Sequence, residues 1–162
     1  MIKKLMEVIM EKERTFVAIK PDGILRGLAG KIITRFEDKG YKIIAMKMLT
    51  PTMEIAAKHY EEHYGKPFYD GLVKYITSGP IIAMVVEGVN AVKGARHLMG
   101  ITNPDEADVG SIRADFAQIM NRNVIHGSDS VESAKREIDI YFKPEEMNTN
   151  WKTVSEMLID EI

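Results

Sequence analysis

The residues with the clearest chemical potential lie in the stretch 122–130, RNVIHGSDS. His126 follows a short apolar run, and Gly127 and small polar residues follow it. This order predicts the end of a strand, a tight turn that brings a charged group close to the glycine, and the start of a helix. Asp129 and Glu132 have capping-box spacing, so we expect the helix to begin there. Because a helix start attracts anions, a histidine at this place indicates phosphate chemistry, including phosphate on the histidine itself.

A carboxylate that could contact the histidine ring follows His126 in the sequence. Glu137 comes about two turns into the predicted helix after His126. It can accept a hydrogen bond from one ring nitrogen and leave the other nitrogen free to attack. Taken alone, a single histidine is more often a packed or surface residue than a nucleophile. Glu137 fits equally well as a surface residue on a highly charged helix, so spacing does not choose between these interpretations.

Several cations stand at the ends of predicted elements. Lys20 ends the first strand, Arg96 lies near the end of a helix, and Arg113 follows a long loop. Arginine offers a planar fork to phosphate oxygens and lysine a point charge, although each residue alone fits a solvated surface cation. Thr102 alone is an ordinary loop residue. The phosphate loops and signatures of known kinase classes are absent, so phosphoryl transfer would need another architecture, such as a histidine nucleophile with arginine clamps.

Other histidines and aromatic residues have less specific patterns. His59 and His63 are separated by YEE, which does not fit the HExxH zinc motif, and no third ligand is identifiable. We therefore favour surface histidines over a metal pair, and the same holds for His97. Tyr60 and Phe68 flank the turn of a helical hairpin. Tyr60 and Phe68 could clamp a flat base or could pack in the core, and on these two residues alone we favour the core.

Composition limits the class of protein. The chain has 162 residues with 45% hydrophobic and 28% charged residues, which is typical of a single soluble domain. The net charge of −2 gives no support for binding nucleic acid or membranes through charge. The absence of cysteine excludes disulfides, zinc thiolates and cysteine nucleophiles. Without an apolar run of about 20 residues or a signal-peptide pattern, we expect a cytoplasmic protein.

The predicted elements follow the order β-α-β-αα-β-α-loop-β-α. This order predicts an α+β fold, a ferredoxin-like split β-α-β sandwich in which a four-stranded antiparallel sheet carries helices and an inserted helical hairpin. We expect one domain over 1–162, with an N-terminal extension at 1–12 and a C-terminal tail at 147–162. Met10 as the natural start is an alternative. Strands are predicted at 15–20, 41–49, 80–87 and 120–125, and helices at 31–39, 51–64, 68–77, 91–99, 112–118 and 130–142, with PDG at 21–23 as a turn and a tail helix bearing Trp151, Val154 and Leu158 on one face.

From Glu13 to about Glu146, the chain closely resembles nucleoside diphosphate kinases. The resemblance rests on several motifs in the family's order: AIKPDG at 18–23, RG at 26–27, GP at 79–80, TNP at 102–104, IRADF at 112–116 and RNVIHGSDS at 122–130. It implies that His126 takes the γ-phosphate of a nucleoside triphosphate and passes it to a diphosphate, a ping-pong reaction that maintains nucleotide pools.

The resemblance also implies roles for the other residues. Glu137 would orient the histidine ring, with Ser128 nearby. Phe68 would stack on the base, while Leu72 and Met120 would line the base slot. Methionine departs from the more usual valine, with little expected effect on base tolerance. Phosphates and sugar hydroxyls would be held by Lys20, Tyr60, Arg96, Thr102, Arg113 and Asn123.

The implied ligands are nucleoside tri- and diphosphates with weak discrimination among bases and sugars. Mg²⁺ would arrive on the nucleotide phosphates, without a metal site of the protein's own. The family forms dimers through sheet edges and then hexamers or tetramers, and the loop around Pro104 favours a hexamer. Trp151, Leu158 and Ile162 would cover a neighbouring subunit. The alternative is a nucleotide- or RNA-binding module without turnover, although no catalytic or clamp residue is missing and the aromatic RNA-binding motif is absent.

Overall fold

A computed structural model describes residues 12–161 and contains one four-stranded antiparallel sheet with the strand order β2-β3-β1-β4. The predicted α+β, ferredoxin-like fold is therefore confirmed. The strands are β1 (Lys12–Ile19), β2 (Lys42–Leu49), β3 (Ile81–Val89) and β4 (Ile125–Gly127). The helices are α1 (Pro21–Leu25), α2 (Ala29–Asp38), α3 (Met53–His59), α4 (Tyr69–Ile76), α5 (Ala91–Met99), α6 (Ile112–Phe116), α7 (Val131–Tyr141) and α8 (Val154–Asp160), with short 3-10 turns at Glu61–His63, Pro104–Glu106 and Pro144–Glu146.

Helices cover both faces of the sheet because the central strands are apolar on both sides. On β1, Phe16 and Ala18 face the layer formed by α3, α4 and α7. Val17 and Ile19 face the layer formed by α2, α5 and α6. All four side chains are buried, as expected for a central strand whose successive residues point to opposite faces.

The same alternation sets the direction of the histidine. In the antiparallel pairing of β1 with β4, His126 lies opposite Ala18 and Ile125 lies opposite Ile19. His126 therefore points to the layer of α3 and α7, while Ile125 joins the other core. Gly127 allows the close packing behind it, since a Cβ there would lie 2.4 Å from the Met99 sulfur. A charged side chain also approaches this glycine, since Arg96 donates to the Gly127 carbonyl oxygen at 3.3 Å.

Three local predictions are wrong by small shifts. The predicted turn at 21–23 is the short helix α1. The strand predicted at 120–125 pairs only from Ile125, because the backbone of Val124 has a φ of +61° and cannot continue a strand. The predicted cap at Asp129 is replaced by Ser130, whose extended backbone lets its hydroxyl accept a hydrogen bond from the Ser133 N–H at 3.0 Å.

The C-terminal tail packs back onto the sheet through a buried lysine. Lys42 is 3% exposed, and its ammonium lies 3.6 Å from a carboxylate oxygen of Glu156. It also donates to the carbonyl oxygens of Thr149 and Trp151 and lies over the Trp151 ring. Trp151, Val154 and Leu158, which were predicted to share one face, are all exposed in this chain. Helix α8 turns Glu156 inward instead, towards the charge of Lys42.

The predicted N-terminal extension lies almost entirely outside the described residues, as does Ile162. Of the predicted N-terminal extension, only Lys12, the first residue of β1, belongs to the described residues. Every helix within 12–161 is too short or too polar to span a bilayer.

The buried ion pair predicts an effect on stability. We expect Glu156→Gln to lower the free energy of unfolding by about 1–3 kcal/mol, because the Lys42 ammonium loses its counter-ion while the helix cap is kept. Glu54→Gln is the matched control, since its ion pair with Lys58 is exposed and should contribute much less to stability. Urea unfolding at one fixed protomer concentration measures both, and equal midpoints for the two variants would contradict the prediction.

Candidate active site

The centre of the site is a hydrogen bond between His126 and Glu137. The ring Nε2 lies 2.5 Å from Glu137 Oε1, and the Ser128 hydroxyl donates to the other carboxylate oxygen. Burial of Glu137 opposes its ionisation, but the hydrogen bonds from His126 and Ser128 outweigh it and lower the pKa of the carboxyl. An ionised carboxylate only accepts hydrogen bonds, so the ring proton belongs on Nε2 and Nδ1 carries the free lone pair.

His59 is a member of this cluster that the sequence analysis missed. It is 5% exposed, and its ring centroid lies 4.5 Å from that of His126. Its Nε2 is 3.7 Å from the same oxygen of Glu137. Burial, followed by the proximity of His126, holds the pKa of His59 well below its ordinary value, so the ring is neutral. The predicted surface location is wrong.

The helical pattern contained a signal for this position. Ala56, His59 and Tyr60 lie at i, i+3 and i+4 on α3 and its C-terminal cap, and all three are buried. These positions form one helix face, so the face that buries Tyr60 also buries His59. The spacing between His59 and His63, compared with the zinc motif, gives no information on this buried face.

The cations surround the open side of the histidine. Lys20 Nζ donates to Asn123 Oδ1 at 2.7 Å, and burial, followed by the charge of Arg113, lowers its pKa to about 8. Arg113 donates to the carbonyls of Gly100 at 2.9 Å and Ile125 at 2.7 Å. Burial, followed by the charge of Arg96, lowers the pKa of Arg113 to about 10. The three cations destabilise one another in the empty protein, which favours an anionic ligand.

These groups line a cavity of about 230 Å³. A larger groove of about 640 Å³ between α3 and α7 has no histidine in its lining, so its size does not make it the better candidate. Nine predicted site residues line the smaller cavity: Lys20, Tyr60, Leu72, Arg96, Thr102, Arg113, Asn123, His126 and Glu137. Arg136, which the sequence analysis did not single out, lines it as well.

The remaining three predicted residues do not line this cavity. Ser128 is buried behind the carboxylate of Glu137. Phe68 and Met120 are each 52% exposed and do not belong to the lining. The Phe68 ring packs edge-on to His63, which does line the cavity, at 5.4 Å between centroids. Phe68 therefore lies beside the mouth.

Three side chains could hold a metal by their spacing. Ligand atoms of His59, His126 and Glu137 lie within 4.8 Å of one another. Both carboxylate oxygens already accept hydrogen bonds, and Lys20, Arg96 and Arg113 make the cavity cationic. This donor set therefore suits an anion with its own cation better than a metal bound by the protein alone.

Comparison with known proteins shows which family has this sequence. A sequence model of the family described as nucleoside diphosphate kinase matches residues 13–147. The cytosolic nucleoside diphosphate kinase of Dictyostelium discoideum is 55% identical over 88% of this chain and 92% of its own length. A nucleoside diphosphate kinase of Archaeoglobus fulgidus is 56% identical over 89% of this chain and 95% of its own length.

Solved structures agree with the sequence matches. The nucleoside diphosphate kinase of Halobacterium salinarum in complex with CDP has a TM-score of 0.87 and 44% identity, covering 92% of this chain and 99% of that one. A Babesia bovis family protein gives a TM-score of 0.87 at 45% identity, covering 90% of this chain and 99% of that one. The chain belongs to the nucleoside diphosphate kinase family.

Proposed function

We propose that this nucleoside diphosphate kinase transfers the γ-phosphoryl group through His126. Nδ1 attacks the γ-phosphorus, a nitrogen–phosphorus bond forms, and the bond to the bridging oxygen breaks, so the nucleoside diphosphate leaves. A terminal oxygen of a second diphosphate then attacks the phosphorus and restores the free ring. The carrying observation is the 2.5 Å contact of Nε2 with Glu137, which commits one nitrogen to the carboxylate and leaves Nδ1 as the free nucleophile.

The carboxylate has a second part in this step. A phosphorylated ring that retains its Nε2 proton is cationic, and Glu137 would stabilise that charge. Ser128 holds the second oxygen, so the carboxylate cannot rotate away without losing a hydrogen bond. Buried His59 excludes water from this side of the ring and adds no charge of its own. These features suit an orienting role for Glu137 and a neutral packing role for His59.

In this proposal the cations of the cavity stabilise the negative charge on the phosphoryl group during transfer. Phosphoryl transfer has a loose transition state, so positioning and positive charge carry most of the catalysis. We assign phosphate and sugar contacts to Lys20, Tyr60, Arg96, Thr102, Arg113 and Asn123, all of which line the cavity. Burial raises the pKa of Tyr60 to about 12, so its hydroxyl keeps the proton that a phosphate oxygen can accept.

Base recognition in this proposal is by shape. Phe68 beside the mouth offers an exposed aromatic face for stacking, and Leu72 offers an apolar wall. We propose that Met120, which is half-exposed and lies outside the cavity lining, contacts the base once the nucleotide is bound. Stacking does not read base edges, which predicts broad tolerance of bases and of ribose or deoxyribose, consistent with maintenance of both nucleotide pools. The Halobacterium relative was solved with CDP.

The metal in this reaction is a divalent cation, and we propose Mg²⁺ bound to the nucleotide phosphates. Such an ion neutralises charge between phosphate oxygens during transfer. The cationic residues of the cavity and the committed oxygens of Glu137 fit a metal that arrives with the nucleotide. A cytoplasmic location is part of the proposal and is supported by the Dictyostelium relative, which is named cytosolic.

The first expected outcome is a phosphoenzyme. Incubation with γ-labelled ATP and Mg²⁺ without an acceptor should add one phosphate that acid removes, base preserves and GDP discharges. His126→Ala should abolish the label, whereas the control His97→Ala, at an exposed position, should keep it. A wild-type protein that binds nucleotide but takes up no phosphate would support the binding-module alternative instead.

The second expected outcome is proton uptake by the protein when the nucleotide binds. Because the free Lys20 ammonium has a pKa of about 8, a bound phosphate should raise that pKa and the protein should take up a proton. At about pH 9 calorimetry in buffers of different ionisation enthalpy should detect this uptake, which should vanish at about pH 6.5, where Lys20 is already charged. Lys20→Met should abolish the uptake and Lys31→Met, on the surface, should retain it. Equal uptake in wild type and Lys20→Met would contradict the assignment.

The third expected outcome is assembly. We propose a homo-oligomer, with a hexamer favoured. Strand β2 is a sheet edge, and Met46 and Met48 on it are 54% and 61% exposed, with Met53 following at 64%. An apolar edge strand of this kind is normally covered in a stable protein. Sedimentation velocity should give a hexamer, and a monomer would contradict the proposal.

A further inference from the structure

A strained turn immediately precedes the histidine. Val124 has a φ of +61°, and among residues 12–161 only Asn90 shares a positive φ without being a glycine. The Ile125 N–H donates to the Asn123 carbonyl at 2.8 Å, which closes a three-residue γ-turn around Val124. This turn is rare with positive φ, and a β-branched residue adopts it only when its surroundings hold it there.

The backbone of Val124 is held from one side by the segment that follows β1. Its N–H donates to Asp22 Oδ2 at 3.1 Å, and its carbonyl accepts from the Lys20 N–H at 2.9 Å. Gly23 permits this approach, since a Cβ there would lie 3.1 Å from the Val124 carbonyl oxygen and 2.8 Å from an Ile19 methyl. Both polar groups of a fully buried residue are thereby satisfied.

Asp22 is in turn held by a tyrosine on another helix. The Tyr75 hydroxyl on α4 donates to Asp22 Oδ1, and the Asp22 N–H lies 3.3 Å from the same hydroxyl oxygen. The Arg122 guanidinium lies 4.1 Å from the centre of the Tyr75 ring. A chain of contacts therefore runs from α4 through Asp22 to the backbone of the turn.

The residues beside the turn carry groups of the proposed mechanism. Asn123 accepts from Lys20 Nζ at 2.7 Å, and its amide donates to the Thr102 carbonyl at 3.0 Å. Arg113 holds the other side of the turn through the carbonyls of Asn123 and Ile125. A relaxation of the φ angle at Val124 would shift Asn123, Ile125 and the following His126 together. Neither Asp22 nor Tyr75 lines the cavity. Both reach the reacting groups through this turn, and the charge of Asp22 also raises the pKa of Lys20, an effect that Tyr75→Phe leaves in place because it keeps the carboxylate.

We propose that Asp22 and Tyr75 are positioning residues that hold the strained turn at Val124 and thereby set the place of His126 and Asn123 for phosphoryl transfer. This inference rests on the proposed function. The competing explanation is a structural role only, in which both residues stabilise the fold without any effect on the rate of the chemical step.

The experiment measures the rate constant of phosphorylation by saturating ATP in a single turnover, together with the thermal midpoint. We expect Tyr75→Phe to slow phosphorylation about tenfold and Asp22→Ala about 100-fold at a temperature well below both midpoints, because small misplacements of reacting groups have such effects. Tyr64→Phe and Asp70→Asn are matched controls, since both residues are exposed and lie outside the cavity lining. They should phosphorylate at the wild-type rate.

A variant of the turn itself separates the two explanations. Glycine adopts a positive φ readily, so Val124→Gly should hold the turn without the Asp22 contact. The double variant Asp22→Ala, Val124→Gly should therefore phosphorylate faster than the product of the two single effects predicts, although it is less stable. A purely structural role gives no such recovery.

Three results would overturn the inference. The first is that Tyr75→Phe and Asp22→Ala fold but phosphorylate within about twofold of the wild-type rate. The second is that the rate effects in the double variant are purely multiplicative. The third is that the control variants lose as much phosphorylation rate as the test variants. A wild-type protein that forms no phosphohistidine would instead contradict the proposed function, and this inference with it.

Discussion

The contact between His126 and Glu137 is the interaction on which the rest of the structure depends. It joins a sheet strand to a helix packed over it, and it requires both the register of β4 on β1 and the matching position of α7 on the sheet. The alternation of side chains on β4 turns the histidine to the correct layer. The hydrogen bond then places a ring proton on Nε2, so that in the neutral ring Nδ1 carries the free lone pair.

A second constraint is electrostatic. The protein holds Lys20, Arg96 and Arg113 close together in a partly buried cavity, and the lowered pKa of Lys20 and of Arg113 reflects burial first and mutual repulsion second. Backbone carbonyls offset part of this cost by accepting hydrogen bonds from Arg113. The charges are thus arranged without a ligand, and in the proposed function a polyphosphate would replace this repulsion with attraction.

Much of the fold could be predicted from the sequence, because strand alternation and glycine stops are local signals. The predicted cavity residues came from the order of the family's motifs, since taken singly most of them fit ordinary surface or core residues. What could not be predicted depends on tertiary context. Asp129 and Ser130 both suit a helix cap, and only the approach of the chain decides between them. The burial of His59 follows from the packing of α3 on α7, and the inward turn of Glu156 from the buried charge of Lys42.

In the proposed reaction, Nδ1 of His126 carries the phosphate while Nε2 remains bound to Glu137. The most direct measurement is to form the phosphoenzyme, digest it under alkaline conditions and locate the phosphate on the imidazole ring by NMR correlation between phosphorus and the ring protons. We expect one phosphohistidine, at residue 126, with phosphorus on Nδ1. Phosphate on Nε2, or on any other residue, would contradict it.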